Sequence, residues 1–186
     1  MKKLGLCLLL VVMLSGCSGE PEEISRGMEL RTKLLDASEF SFDTEVTADY
    51  GDKLHAFSMN CRADEKGNVA FVVTAPETIA GISGTVTDAG GTLTFDDTAL
   101  YFELLADGQL SPVSAPWILV RTLRSGYLTS ACMDETDLLL TMDDSYEDDA
   151  MTLDIWLDDR DLPARAELLY GGRRILSLSV TNAVLL

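Results

Sequence analysis

Phe40-Ser41-Phe42-Asp43-Thr44-Glu45-Val46-Thr47-Ala48-Asp49-Tyr50 alternates with period two, its even positions carrying Phe40, Phe42, Val46, Ala48 and Tyr50. Successive side chains of a strand point to opposite faces, so this stretch predicts a strand with one buried side. Gly51-Asp52 follows as a hairpin turn, residues 54–62 alternate again through Phe57, Met59 and Cys61, and Glu65-Lys66-Gly67-Asn68 turns into residues 69–74. Consecutive hairpins of this kind make an antiparallel meander. Working outward, short strands are expected over residues 82–87, 91–95 and 100–104. Five more follow over 127–133, 137–142, 151–157, 164–170 and 173–181, separated by acidic or glycine-rich turns.

Two segments break the period of two. Residues 24–37 carry Ile24, Met28, Leu30, Leu34 and Leu35 at helical spacing, and Ser114 with Pro116 opens a second helix through Trp117, Ile118, Leu119, Val120 and Leu123 to Ser125-Gly126. The second helix is too apolar to have an exposed face. The fold class is therefore mainly β with two or three helices: a large curved antiparallel sheet of ten or eleven strands, covered on one side.

The 186 residues include 14 Lys plus Arg and 31 Asp plus Glu, a formal net charge of −17. Nucleic acid and anionic lipid headgroups would repel such a chain. With 47% apolar residues it can bury a core, and its single histidine speaks against most zinc sites and most imidazole-based catalysis. No cofactor and no metal site is expected, and the composition leans away from an enzyme.

The first residues are read separately. Lys2 and Lys3 precede an apolar run over residues 4–14, and Leu14-Ser15-Gly16-Cys17 closes it. The run is too short for an ordinary spanning helix and reads as an export signal. Its closing four residues resemble a bacterial lipobox, which makes residues 1–16 a lipoprotein signal peptide and Cys17 the lipidated first residue of the mature chain. Residues 17–23 would then be a flexible tether and residues 24–186 a single domain, extracytoplasmic and held at the cell membrane by the lipid on Cys17. The alternative is an uncleaved anchor or an ordinary signal with an incidental cysteine.

With Cys7 lost and Cys17 lipidated, Cys61 and Cys132 remain as a pair. They form either a disulfide or two separate buried thiols, and their spacing is unlike that of a redox motif. Three other features are set aside. Residues 143–149 are acidic but lack the ligand spacing of a calcium loop, His55 near Asp52 has no nucleophile motif beside it, and the glycines of 81–84 and 90–91 lack the lysine of a phosphate loop.

The order of these features resembles the lipoprotein-carrier (LolA/LolB-like) superfamily, and within it the GerS-type germination lipoproteins. The residues carrying the resemblance are the lipobox, the helix leading into Phe40-Ser41-Phe42, the step Ala75-Pro76-Glu77-Thr78-Ile79-Ala80-Gly81-Ile82, the helix after Ser111-Pro112, and the hairpin Tyr170-Gly171-Gly172. The resemblance implies an unclosed half-barrel lidded by helices, no catalytic residues, and an apolar concave face that holds a lipid or a lipoprotein acyl chain. The lining would include Phe57, Met59, Phe71, Phe95, Trp117, Leu119, Leu123, Met142 and Trp156, together with Phe40, Phe42, Leu93 and Leu140; for any one of them taken singly, packed core without a ligand is the favoured reading. The alternative function that it implies is protein interaction, with the chain binding and regulating a peptidoglycan amidase in spore germination. The resemblance also implies that an arginine on the concave side can hold the lid, and Arg121 and Arg124 lie on the second helix; neither matches the family position, so both read by default as surface charges. An extracytoplasmic hydrolase is the least supported reading.

Overall fold

The computed structural model describes residues 22–186 except 52, 97, 104, 107, 108, 148 and 149. The lipobox with Cys17 and most of the expected tether lie outside the described residues. Helix α1 (Glu22–Asp36) comes first, beginning two residues before the expected boundary. Strands β1 (Glu39–Asp49), β2 (Leu54–Asp64), β3 (Val69–Ala75), β4 (Ser83–Thr87), β5 (Gly90–Phe95) and β6 (Thr98–Phe102) follow, then the two-residue strands β7 (Leu105–Ala106) and β8 (Gln109–Leu110). A 3-10 turn (Pro112–Ser114) leads into α2 (Ala115–Ser125). The chain ends with β9 (Tyr127–Asp134), β10 (Asp137–Asp143), β11 (Thr152–Leu157), β12 (Pro163–Tyr170) and β13 (Arg173–Leu185).

Eleven strands form one sheet in the order β6-β5-β4-β3-β2-β1-β13-β12-β11-β10-β9, every pairing antiparallel, with β7 and β8 as a separate hairpin. Since β6 and β9 do not pair, the sheet is open. The chain lays down one half as a meander, crosses by α2 to the far edge, and returns strand by strand until β13 meets β1.

One face carries the core. Phe40, Phe42, Val46 and Ala48 of β1 continue into Phe57, Met59 and Cys61 of β2, Val69, Phe71 and Val73 of β3, and Leu138, Leu140 and Met142 of β10, all buried in one cluster. Helix α2 packs over β2, β3, β10 and β13. Eight of its eleven residues are buried, leaving Arg121, Arg124 and Ser125 with access to water. Helix α1 buries a narrower stripe, Gly27, Leu30 and Leu34, while Met28 and Leu35 stay exposed. Gly27 permits the close approach, because a Cβ there would stand 2.9 Å from a Leu140 methyl.

Strand β13 runs four residues past its expected end. Asp43 pairs with Thr181 but Ser41 pairs with Val184, so β13 holds one extra residue opposite β1. The bulge carries Asn182 at φ 53°, and it moves the buried positions from Val180 to Ala183. The alternation that marks a strand fails at that point, which is why the sequence pattern stops there.

Candidate binding surfaces

Most of the expected concave lining comes together. Phe57, Met59, Phe71, Trp117, Leu119, Leu123 and Met142, with Phe40, Phe42 and Leu140, are buried in a single cluster between the sheet and α2. They fill the space with their own side chains. Trp117, only 4% exposed, sits at the start of α2, and Leu119 is fully buried.

Two expected lining residues do not belong there. Trp156 shares its parity with Asp154, while Leu153, Ile155 and Leu157 take the core side of β11. Its indole therefore stands on the outer face, donating a hydrogen bond to Asp134 Oδ2 at 2.7 Å beneath the Arg165 guanidinium, which lies 4.2 Å from the ring centroid. Phe95 ends β5 at the turn into the edge strand β6 and is 51% exposed. Leu93, two residues earlier on the same face, is half-buried against the core.

Of the two readings of Cys61 and Cys132 the bridge fails, and the reading as separate buried thiols holds for Cys61 alone. Both thiols are free, Cys61 buried and Cys132 exposed. Five strands stand between β2 and β9 in the sheet order, whereas a disulfide needs Cα atoms within about 7 Å, less than two interstrand steps. Burial, helped by the nearby Asp43 charge, pushes the Cys61 thiol well above its usual range, so it behaves as a small hydrophobe.

The lid is fastened by two arginines. Arg31 of α1 donates from Nε to the Leu123 carbonyl at 2.9 Å and from Nη2 to the Gly126 carbonyl at 2.5 Å, occupying the C-terminal end of α2. In return Arg124 of α2 donates to the Leu34 carbonyl near the end of α1 and to the Glu65 carbonyl in the β2–β3 turn, each at 2.6 Å. Each guanidinium thus satisfies carbonyls that a helix end or a turn leaves open. Arg124 is therefore a strut between lid and sheet, not a free surface charge, while Arg121 stays at the surface, stacked 5.2 Å from the Trp117 ring centroid. Arg31 drew no notice in the sequence; a basic residue on the polar side of an amphipathic helix has no local mark of such a role.

The opposite face of the sheet is not featureless. An open trough of about 740 Å³ crosses β1 to β5 there. Its floor is the backbone of the register row Phe42, Cys61, Phe71 and Gly84. One wall is the row Ser41, Arg62, Ala70, Thr85 and Thr92, and the other is Asp43, Asn60, Val72, Ser83 and Thr94. Gly84 is required, since a Cβ would come within 2.2 Å of the Thr92 carbonyl oxygen and 2.7 Å of the Phe71 ring. At the β13 end the Asp43 carboxylate accepts the Asn60 amide at 2.5 Å and the Asn182 amide at 2.8 Å, one on each oxygen. The sequence marks Phe42, Cys61 and Phe71 only for their core-facing side chains, and the trough walls go unmarked because they are the solvent-facing half of each alternation.

Among the described residues no group of three or more His, Cys, Asp or Glu side chains is placed to hold a metal ion, and no helix is long and apolar enough to cross a membrane. His55 is exposed on β2, its ring 6.1 Å from that of Tyr50.

The class that these features define is an open antiparallel half-barrel lidded by two helices. No protein-family model matches the chain, and no curated protein matches it in sequence. Solved structures of similar architecture include a LolA superfamily protein from Nitrosomonas europaea, at 9% identity over 86% of this chain and 93% of that one, with a TM-score of 0.47. The lipoprotein LppX of Mycobacterium tuberculosis is similar at 11% identity over 87% and 92%, with a TM-score of 0.41. A chain from the complex of the CwlD amidase of Clostridioides difficile with the GerS lipoprotein is similar at 11% identity over 89% and 96%, with a TM-score of 0.43.

Proposed function

We propose that this chain is a lipid-anchored extracytoplasmic binding module, without catalysis of its own, that meets its partner on the exterior of the half-barrel. The observation that carries the reading is the filled concave side: Phe57, Met59, Phe71, Trp117, Leu119, Leu123 and Met142 are all at most 9% exposed. A carrier needs room for an acyl chain inside, whereas a docking module needs a rigid body, and close packing with two arginine struts supplies the second. The apolar run ending in Leu14-Ser15-Gly16-Cys17 supports the anchor, and the acidity of the remaining body, 12 basic against 31 acidic residues beyond residue 16, supports solubility beside an anionic membrane. An amidase of the cell wall is the protein partner suggested by the GerS-type resemblance of the sequence.

The competing reading is an acyl-chain carrier whose lid opens on demand. Titration with a fluorescent fatty acid separates the two. No saturable binding is expected at micromolar concentrations, and stoichiometric uptake that is abolished by filling substitutions at Leu119 would overturn the docking reading.

A further inference from the structure

We propose that the trough on the outer face of β1–β5 binds a linear, uncharged glycan. The inference rests on the reading that the exterior of the half-barrel is the working surface, and it assigns a ligand class to one part of it. The trough crosses five strands, about 19 Å at the usual interstrand spacing, and its two walls stand two residues apart along each strand, roughly 7 Å. That is the shape of a slot for an extended chain lying across the strands. One pyranose unit spans about one interstrand step, so each sugar would meet one pair of wall residues.

The wall chemistry selects the class. Ser and Thr hydroxyls from β1, β4 and β5, with the Asn60 amide from β2, offer donors and acceptors toward both ends of the slot, and Val72 with Ala70 on β3 gives an apolar midpoint for the C–H face of a sugar ring. Formal charge is confined to Asp43 and Arg62, which cancel, although the chain as a whole carries −17. A cationic partner would find far more attraction elsewhere on this surface, and an anionic one is repelled by the whole. Asp43 is the fixed point. Held by Asn60 and by Asn182 from the bulge, it keeps unused lone pairs on both oxygens, the arrangement that accepts a pair of vicinal hydroxyls. The neighbouring depression over Ser58, Thr74, Ser179 and Thr181 shares Asp43 and Asn60, so the hydroxyl-rich surface continues beyond the trough.

The test is calorimetric titration of the detergent-solubilised full-length protein with chitohexaose and with cellohexaose. Saturable binding of at least one at sub-millimolar concentration is expected, weakened tenfold or more by Asp43→Ala and by Thr85→Arg. The second variant changes an exposed wall residue only and keeps the parent's thermal midpoint, so its loss of binding reports the trough and not the fold. Absence of binding by both hexaoses, binding unchanged in Thr85→Arg, or displacement of the glycan by an extended neutral peptide at lower concentration would each overturn the assignment. None of these outcomes bears on fatty-acid uptake, so the docking reading stands or falls separately.

Discussion

Arg31 holds two carbonyls at the end of α2 with a single guanidinium, and burial lowers its pKa. Arg31→Ala should destabilise the fold by about 1.5–3 kcal/mol in denaturant unfolding, and Arg31→Lys should recover little, since an ammonium cannot reproduce the fork. Thr122 is the opposite case. Its hydroxyl oxygen is buried in α2 without a partner, so Thr122→Val should stabilise the protein by about 1 kcal/mol; a loss would mean the hydroxyl is bonded. Trp117→Ala removes a ring packed into the core and should cost about 3–5 kcal/mol, while a cost under 1 would mean an open groove. Asp64 sets the pH dependence of the β2–β3 turn. Desolvation raises its pKa, but the Asn68 side chain and backbone amide, the Lys66 amide and the Lys66 charge outweigh this and hold it below the usual carboxylate range. A depressed folded value means stability that is present at neutral pH and lost as the pH falls through it. The stability gap between the parent and Asp64→Ala should therefore be open at pH 7 and close progressively below about pH 4.

Elements were legible where the pattern is local. The alternation of β1 and β2 gave both their existence and their buried face, because one side of each is core and the other water. The same rule applied to Leu153-Asp154-Ile155-Trp156-Leu157 places Trp156 outside with Asp154; reading it as lining gave residue size more weight than parity. Phe95 failed for another reason. It has the parity of the core face, but whether that face is covered at the edge of the sheet depends on where α2 lies, which no local pattern records. The cysteines are the same lesson at longer range, since strand order, and not spacing, separates β2 from β9. In a fragment spanning residues 22–186, a thiol reagent should modify one cysteine in the folded state and two in denaturant, with Cys132 the one that reacts first. Two rapid reactions in the folded state would mean that Cys61 is not in the core.

At the scale of the molecule, the open sheet keeps two free edges and two faces. The inner face is spent on α2 and the core, and the outer face keeps the trough. This division makes the filled interior the central claim, and native mass spectrometry of the detergent-extracted protein tests it most directly. The expected spectrum is the polypeptide, carrying on Cys17 the covalent lipid that the proposed anchor requires, with no further adduct and unchanged when collision energy is raised. A spectrum in which a phospholipid or fatty acid leaves the protein on activation, and no longer appears after Leu119→Trp, would show that the concave face holds a lipid and would contradict the account.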